Sequence, residues 1–568
     1  MKTHLLLSFI GSVALMQAQN NFKYLDINQV KAGISNNGFM HYDPVTMAPS
    51  YEVPVGSGTH SDYVTALWVG GYDSNNTLHL AAQTYGQSPG DFWPGPLDTT
   101  NAAISQTVSN QYDRIWKLNR SDIDQFITNF NNGNVQNGSY TPVPEILSWP
   151  AHGTGAQAKN LAPFVDRNGN HIYDPLVGGD YPDIKGDQQL FYIFNDNRTH
   201  KSSGVPMKIE VHASAYAYGN SLLASQNPVL SNATFYQYKI INRSSNNYQN
   251  VFITLYTEAD LGYYGDDYIG CDVQGNYGFI YNSDNYDESD GGQTGYGSMP
   301  PAAGYQVIKG PFNSDNGIDD DGDGIIDEPC EQMRMTRFNY FNSPLPGVPV
   351  SQADPTLAAE FFKYMTGYWL DNTPFTCGAN GYGGTVSTPF VYPGLSYTNS
   401  ACGSSDWSEV SEVNIAGDRK YMISIGPLTL NAGASTEIQY VHCTSFPLPG
   451  AGALDRLKSD MQALKAFNDI HDPQSLSCGP VSVKEQDEWL DMNMYPNPAA
   501  KELNLSFHKN AASVSTVSVT DIYGKLLLEK QSDGSDTMTL DVSTMASGVY
   551  FVKISGNGKS VVRKFIRQ

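Results

Sequence analysis

Segments whose side chains alternate with a period of two recur along this chain, and that period commits them to β-strands. Met207–Ala213 and Phe235–Ile240 alternate, and Val251–Tyr256 is β-branched and aromatic throughout. The pattern returns at Lys420–Gly426 and Ser435–Val441, with Asn431-Ala432-Gly433 supplying a turn between them. Successive strand side chains point to opposite faces, so such segments need a second layer to bury the apolar one. The expectation is a β-sandwich whose strands flank a long insertion at about 260–418. Tyr63–Gly70 and Thr77–Ala82 add strands further upstream.

Helical spacing is rare. Leu454, Leu457, Met461, Leu464 and Phe467 recur at intervals of three and four, which predicts one amphipathic helix over 454–470 packed on the sandwich. Ser121–Phe130 reads as a shorter helix opened by Ser121 or Asp122 as N-cap. With 53 Gly, 36 Tyr and only 16% charged residues, the composition suits short strands joined by turns. The fold class is therefore mainly β. At 568 residues the chain exceeds one ordinary domain. We divide it into an N-terminal β-rich region at 19–200, a sandwich at 201–480, a polar linker at 481–490 and a terminal domain at 491–568.

Met1-Lys2-Thr3-His4, the apolar run Leu5–Leu15 and the small residue at Ala18 make a signal peptide over 1–18. The run falls short of the roughly 20 apolar residues of a spanning helix, and no second stretch approaches that length. An integral membrane protein is not expected. Six cysteines remain, Cys271, Cys330, Cys377, Cys402, Cys443 and Cys478. In an exported chain they permit disulfides, and Cys377 with Cys402 is the preferred local pair because a Gly-rich loop joins them.

The net charge of −24 is unevenly spread. Residues 491–568 hold nine Lys/Arg against seven Asp/Glu, whereas 19–490 hold 23 against 50. Such an acidic body repels nucleic acid and anionic lipid and favours cations.

Beyond the linker come Met494-Tyr495-Pro496-Asn497-Pro498, then alternating Leu503–Phe507, Val514–Val519 and Tyr550–Ile554. Those segments describe a small immunoglobulin-like sandwich. The Tyr-Pro-Asn-Pro entry, Asp521-Ile522-Tyr523-Gly524-Lys525, Ser547–Ile554 and the basic end Arg563–Arg567 resemble the type A sorting domain of type IX secretion in Bacteroidetes-type bacteria. The resemblance implies export through that apparatus by way of 491–568, after signal-peptide-dependent passage to the periplasm. The destination it implies is the outer surface or the medium. The body is similar to uncharacterised cargo bodies, which adds no activity.

Two loops carry metal-binding spacing. Asp166, Asn168, Asn170 and Asp174 place oxygen side chains at positions 1, 3, 5 and 9; Asp319, Asp321, Asp323 and Asp327 repeat the spacing. Gly stands at position 4 of both loops, and Ile172 and Ile325 stand at position 7. Alternate residues of a tight turn converge on one point, and a hard cation needs six to eight oxygens at about 2.3–2.6 Å. Position 7 gives its carbonyl and leaves an apolar side chain free to anchor the loop. The pattern resembles the calcium loops of thrombospondin type 3 and dockerin-like proteins. Position 12 is Val177 or Cys330, so closure must come from Asp180 or Asp183 in the first loop and Glu328 in the second. Calcium is the expected ion.

A third acidic group, Asp260, Asp266, Asp267 and Asp272, follows the strongest strand. Paired carboxylates there suit a hydrolase of polysaccharide or peptide, another cation, or simple turn caps. The aromatic-proline turns Asp91–Pro96 and Ser148–Pro150 read as packed corners in preference to sugar-stacking platforms. No zincin, nucleophile-elbow, P-loop or dinucleotide motif occurs. The expectation is a calcium-stabilised, non-catalytic exported protein that contacts glycan or another surface ligand. A hydrolase using the third group is the alternative.

Overall fold

The computed structural model describes residues 21–472 and 491–567, apart from 85–89, 220, 314–318, 320–325, 327–330, 344–347, 398–401, 404–405, 510, 521–524, 547 and 557–558. The signal-peptide and linker segments lie outside these. The chain divides into two compact units, Met1–Ser482 and Val483–Gln568.

The larger unit holds two nine-stranded sheets. The first runs Phe22–Leu25, Lys31–Ser35, Phe39–Met40, Val64–Tyr72, Tyr248–Glu258, Arg419–Leu430, Arg337–Asn342 in spatial order. The second runs Trp116–Asn119, Gln188–Asn195, Ile209–Ala217, Ala233–Asn242, Ser435–Ser445, Ala302–Lys309, Tyr277–Asn282, Asp267–Asp272. Neighbours on both paths pair antiparallel.

The sheets face each other across one apolar core that includes Leu67, Val69, Ile253 and Leu255 from the first and Tyr192, Tyr238, Ile240 and Tyr440 from the second. Polar contacts cross the same gap. Tyr51 meets Thr234 at 2.9 Å, and Tyr305 donates to Asp62 at 2.6 Å.

The outer faces are covered as well, which explains why several strands are apolar throughout and do not alternate. On the first sheet, Trp68 and Phe341 stack on either side of Tyr256 at 4.8 and 5.9 Å. The helix Ala358–Thr366 lies over them, its Phe361 meeting Trp68 edge-on at 4.9 Å. On the second sheet, Phe191 and Ile193 pack with Ile123, Phe126 and Trp149. Further along, Tyr216, Phe235 and Val441 receive Leu457, Met461, Leu464 and Phe467 from the helix Ala453–His471. That helix stands where the apolar spacing put it.

Three boundaries differ from the sequence reading. Residues 260–418 are no loop insertion: they supply Asp267–Asp272, Tyr277–Asn282 and Ala302–Lys309 to the second sheet and Arg337–Asn342 to the first. A division at 200 falls inside a sheet, because Gln188–Asn195 pairs with Ile209–Ala217. The helix Arg120–Asn131 is capped by Asn119, whose backbone N–H donates to the Asp122 carboxylate at 3.1 Å. Neither Ser121 nor Asp122 is the cap, because Asp122 occupies the third helical position and reaches back to the residue before the helix.

Cys377 and Cys402 come together, with Cα atoms 5.6 Å apart, as the one disulfide candidate among the described residues. Cys271 and Cys443 are free and buried. Cys330 and Cys478 lie outside the described residues. No helix among the described residues is long and apolar enough to cross a membrane.

The smaller unit packs a three-stranded sheet (Asp491–Tyr495, Glu502–Lys509, Thr537–Asp541) with a four-stranded one (Leu526–Gln531, Thr516–Thr520, Gly548–Gly556, Lys559–Arg567). Its own core contains Leu503, Leu505, Val517, Val519, Val552 and Ile554, the inward members of the alternating segments.

Candidate functional site

The first acidic loop hangs from a two-stranded hairpin in which Phe164 pairs with Pro182 and Val165 with Tyr181. Asp166 opens it as a turn brace: Oδ1 accepts the backbone N–H of Gly169 at 2.8 Å and Oδ2 that of His171 at 2.8 Å. Gly169 and His171 sit at φ +72° and +59°, the left-handed conformations that let the chain fold back on Asp166. The side chains of positions 3, 5 and 9 then converge. Asn168 and Asn170 donate their amides to the Asp174 carboxylate at 3.3 and 3.0 Å. A Cβ on Gly178 would stand 2.0 Å from Asp174 Oδ1 and 2.3 Å from Asn168 Nδ2, so glycine keeps that point open.

This donor set suits a hard cation. The Asn168 and Asn170 oxygens accept the backbone N–H of Asn170 and Ile172 at 3.1 and 2.8 Å, and turning the two amides over would present oxygen beside Asp174 in place of N–H. Asp180 stands beside Asp174, and its two oxygens accept the backbone N–H of Arg167 and Asp174, at 2.8 and 3.0 Å, which ties the ends of the loop together. Burial raises its carboxyl above the usual range. One expectation changes: Ile172 does not anchor the loop, being 58% exposed. Tyr173 does so: its hydroxyl donates to the Ile146 carbonyl at 2.6 Å and its ring meets Phe164 edge-on at 5.4 Å.

Of the second loop, Asp321, Asp323, Ile325, Asp327 and Glu328 lie outside the described residues, and Asp319 stands at its entrance. Its base is closed by a bridge between Phe312 and Gln332, with Asn313 N–H donating to the Glu331 carbonyl at 3.0 Å.

A further carboxylate group, read only in part from the sequence, arises from strand register. Glu258 pairs with Lys420 across two neighbouring strands of the first sheet, and Phe341 pairs with Lys420 on its other side. Paired residues project to the same face, here the outer one under the helix Ala358–Thr366. Asp260 lies two residues beyond Glu258, and Asp418 two before Lys420, so both reach the same place. Glu258, Asp260 and Asp418 bring carboxylate oxygens within 4.8 Å of one another. Lys420 enters the group with Nζ 3.6 Å from Glu258 and 2.9 Å from Asp354. Its ammonium supplies the positive charge that three crowded carboxylates demand.

The electrostatics follow from burial. Desolvation pushes Glu258 well above the usual carboxylate range, against the pull of Lys420 and with help from Asp260 and Asp418. Asp260 rises to about 7 through burial first and the neighbouring Asp418 second. Tyr256 donates to Glu258 at 3.0 Å, and Gln293 donates to Asp260 at 2.8 Å.

Of the four acidic residues singled out in the sequence, Asp266 and Asp260 stand near Asp267 and add to the burial that raises its carboxyl, whereas Asp272 stands apart. Asp267 accepts the Leu261 N–H at 3.0 Å, and Asp266 accepts the Asn282 amide at 2.8 Å. Asp272, at the other end of the strand Asp267–Asp272, accepts the Gly275 N–H at 2.7 Å and the Tyr277 hydroxyl at 3.3 Å. Glu258, Asp418, Lys420 and Asp354 escaped the sequence reading. Their signal was the i, i+2 spacing of charged residues at the ends of two apolar strands, but only the pairing of distant segments joins them. The aromatic-proline turns are packed corners: Phe92 and Trp149 are buried, and Asp91 accepts N–H groups from Ala82 and Lys201.

Residues 493–568 match the family described as secretion system C-terminal sorting domain. The terminal segment therefore carries a sorting domain of the kind that marks cargo of type IX secretion. The chain is exported to the outer surface or the medium, and its terminal unit is the part the secretion apparatus handles. No curated protein matches the chain. Among solved structures it is similar to a polysaccharide lyase at 9% identity, covering 68% of this chain and 37% of that one. The TM-score of that superposition is 0.19, and nothing about the body rests on it.

Proposed function

We propose that the body of this exported cargo is a non-catalytic contact module whose loops are stiffened by calcium. What carries the reading is the placement of the carboxylates that the sequence offers for hydrolysis. Asp267 and Asp272 end a six-residue strand, which at about 3.3 Å per residue separates them by roughly 16 Å. Catalytic carboxyl pairs stand about 5–10 Å apart. Each of the four also serves a turn or a neighbouring amide, the work of structural caps. The converging side chains of the 166–174 loop support calcium, as does the excess of 50 acidic over 23 basic residues in 19–490. A glycan or another surface ligand is the partner class that suits an exported acidic module.

Melting the full chain in millimolar calcium and again in chelator tests this reading. Binding to the native state alone adds about 2.7 kcal/mol at a hundredfold excess over Kd. Asp174→Ala, Asp321→Ala and Asp323→Ala are expected to shrink the rise while leaving the melting point in chelator nearly unchanged. An identical melting point with and without calcium sinks the proposal.

A second reading, a secreted hydrolase, draws on Asp260 and Asp266. Burial, with Asp418 beside the first and Glu288 beside the second, raises both to about 7. That value suits a general acid at neutral pH. Hydrolysis of a polysaccharide or peptide that disappears in Asp260→Asn would favour it over contact.

A further inference from the structure

The group around Lys420 has more chemistry than an ion pair needs. Lys420 projects from the strand Arg419–Leu430, second from one edge of the first sheet, with its side chain only 2% exposed. Its Nζ lies 2.9 Å from Asp354 Oδ1, 3.6 Å from Glu258 Oε1 and 5.8 Å from the centre of the Phe341 ring. Tyr256, stacked between Trp68 and Phe341, closes the far side and hydrogen-bonds Glu258. Asp354 comes from the segment between the turn Val350–Gln352 and the helix Ala358–Thr366, and its side chain is 33% exposed. One amine, one partly exposed carboxyl and one buried acid therefore meet beside the Tyr256 and Phe341 rings, with Asp260 and Asp418 close to Glu258.

We propose that Lys420 and Asp354 condense to an intramolecular amide, with Glu258 relaying the protons. The ammonium first gives a proton to the Asp354 carboxylate it touches. Burial disfavours the charged ammonium, while Glu258, Asp354 and Asp418 hold it well above its usual range, so this transfer is the uphill step and the neutral pair a minor form. The amine nitrogen then attacks Asp354 Cγ, forming the N–C bond. Glu258 takes a proton from nitrogen and delivers one to the departing oxygen, the C–O bond breaks, and one water leaves past the partly exposed Asp354. Ammonium plus carboxylate becomes amide plus water, with no oxidant, reductant or cofactor. Burial raises the Glu258 carboxyl well above the usual range, which favours the protonated form from which an acid relay starts. Holding amine and carboxyl in contact replaces a bimolecular encounter, an advantage equivalent to about 10⁵–10⁸ M in well-oriented intramolecular reactions. The bond would tie the segment leading into the covering helix to the strand Arg419–Leu430 of the first sheet, a covalent brace for a protein that works outside the cell.

Peptide mapping of the full chain, denatured, reduced and alkylated, tests the proposal. The expected result is a joined pair of tryptic peptides, one carrying Asp354 and the other Lys420. It should weigh one water less than the sum of the two, with no cleavage after Lys420. Separate peptides and ordinary cleavage after Lys420 would mean a salt-bridged lysine only and overturn the proposal. Glu258→Gln keeps the shape and removes the relay, so folded protein of that variant should show the unlinked peptides. Unimpaired linkage in folded Glu258→Gln overturns the role of Glu258. Should that variant not fold, the map of the unaltered chain still decides whether the bond exists.

Discussion

Asp260 shows how a single buried carboxylate sets a pH window. Its folded pKa is about 7, above the ordinary value of 3.8, because burial and Asp418 both disfavour the charged form. A raised carboxyl contributes stability that is full below the unfolded pKa and lost as pH rises through the folded one. The larger unit is therefore expected to melt at lower temperature at pH 8.5 than at pH 5.5. Asp260→Asn, neutral at both values, should flatten that slope by about 2 kcal/mol of pH-dependent stability. Melting curves at the two pH values for parent and variant give the comparison, and parallel slopes would remove Asp260 as the cause. The sequence marked Asp260 as acidic and strand-terminal but left its partners unseen. Asp418 and Lys420 lie far along the chain and meet it only through the register of Glu258 with Lys420. The loop residues Asp166, Asn168, Asn170 and Asp174 were more legible, since their geometry is local. Ile172 was misread for a physical reason: the next residue, Tyr173, reaches the core with a longer side chain and a hydroxyl that finds a carbonyl.

At the scale of elements, period decided what was readable. The helix Ala453–His471 announced itself because its apolar positions fall on one face, and that face meets the outer side of the second sheet. Leu464 is fully buried there. Leu464→Ala is expected to cost about 2–5 kcal/mol, the range for a deleted core leucine. Denaturant unfolding should register this as a lower midpoint with an unchanged slope. A loss below about 0.5 kcal/mol would mean the helix is peripheral to the fold. Strands were legible as strands but not as neighbours. Tyr248–Glu258 and Asp267–Asp272 lie close in sequence yet join different sheets, and Arg337–Asn342 pairs with Arg419–Leu430 across a long intervening segment. Local alternation carries no information about which edge a strand will add to, so the supposed insertion hid four strands of the two main sheets.

For the whole molecule, charge and core composition separate two kinds of work. Residues 491–568 carry nine basic and seven acidic residues, whereas 19–490 carry 23 and 50. The terminal unit buries its own cluster, including Leu503, Leu505, Phe507, Val517 and Phe565. A unit with its own core and a different charge balance can be read by the secretion apparatus whatever body precedes it. Deleting 491–568 is therefore expected to strand the body in the periplasm, still folded, while the full chain appears at the surface or in the medium. Fractionation with calorimetry of the retained body separates two failures. Surface delivery without 491–568 would deny the terminal unit its sorting role. An unfolded retained body would instead mean that the terminal unit is needed for stability. The expected combination, retention with an unchanged melting transition, requires that the sorting signal and the body's stability reside in different parts of the sequence. Their separate cores and opposite charge balance give the physical ground for that division.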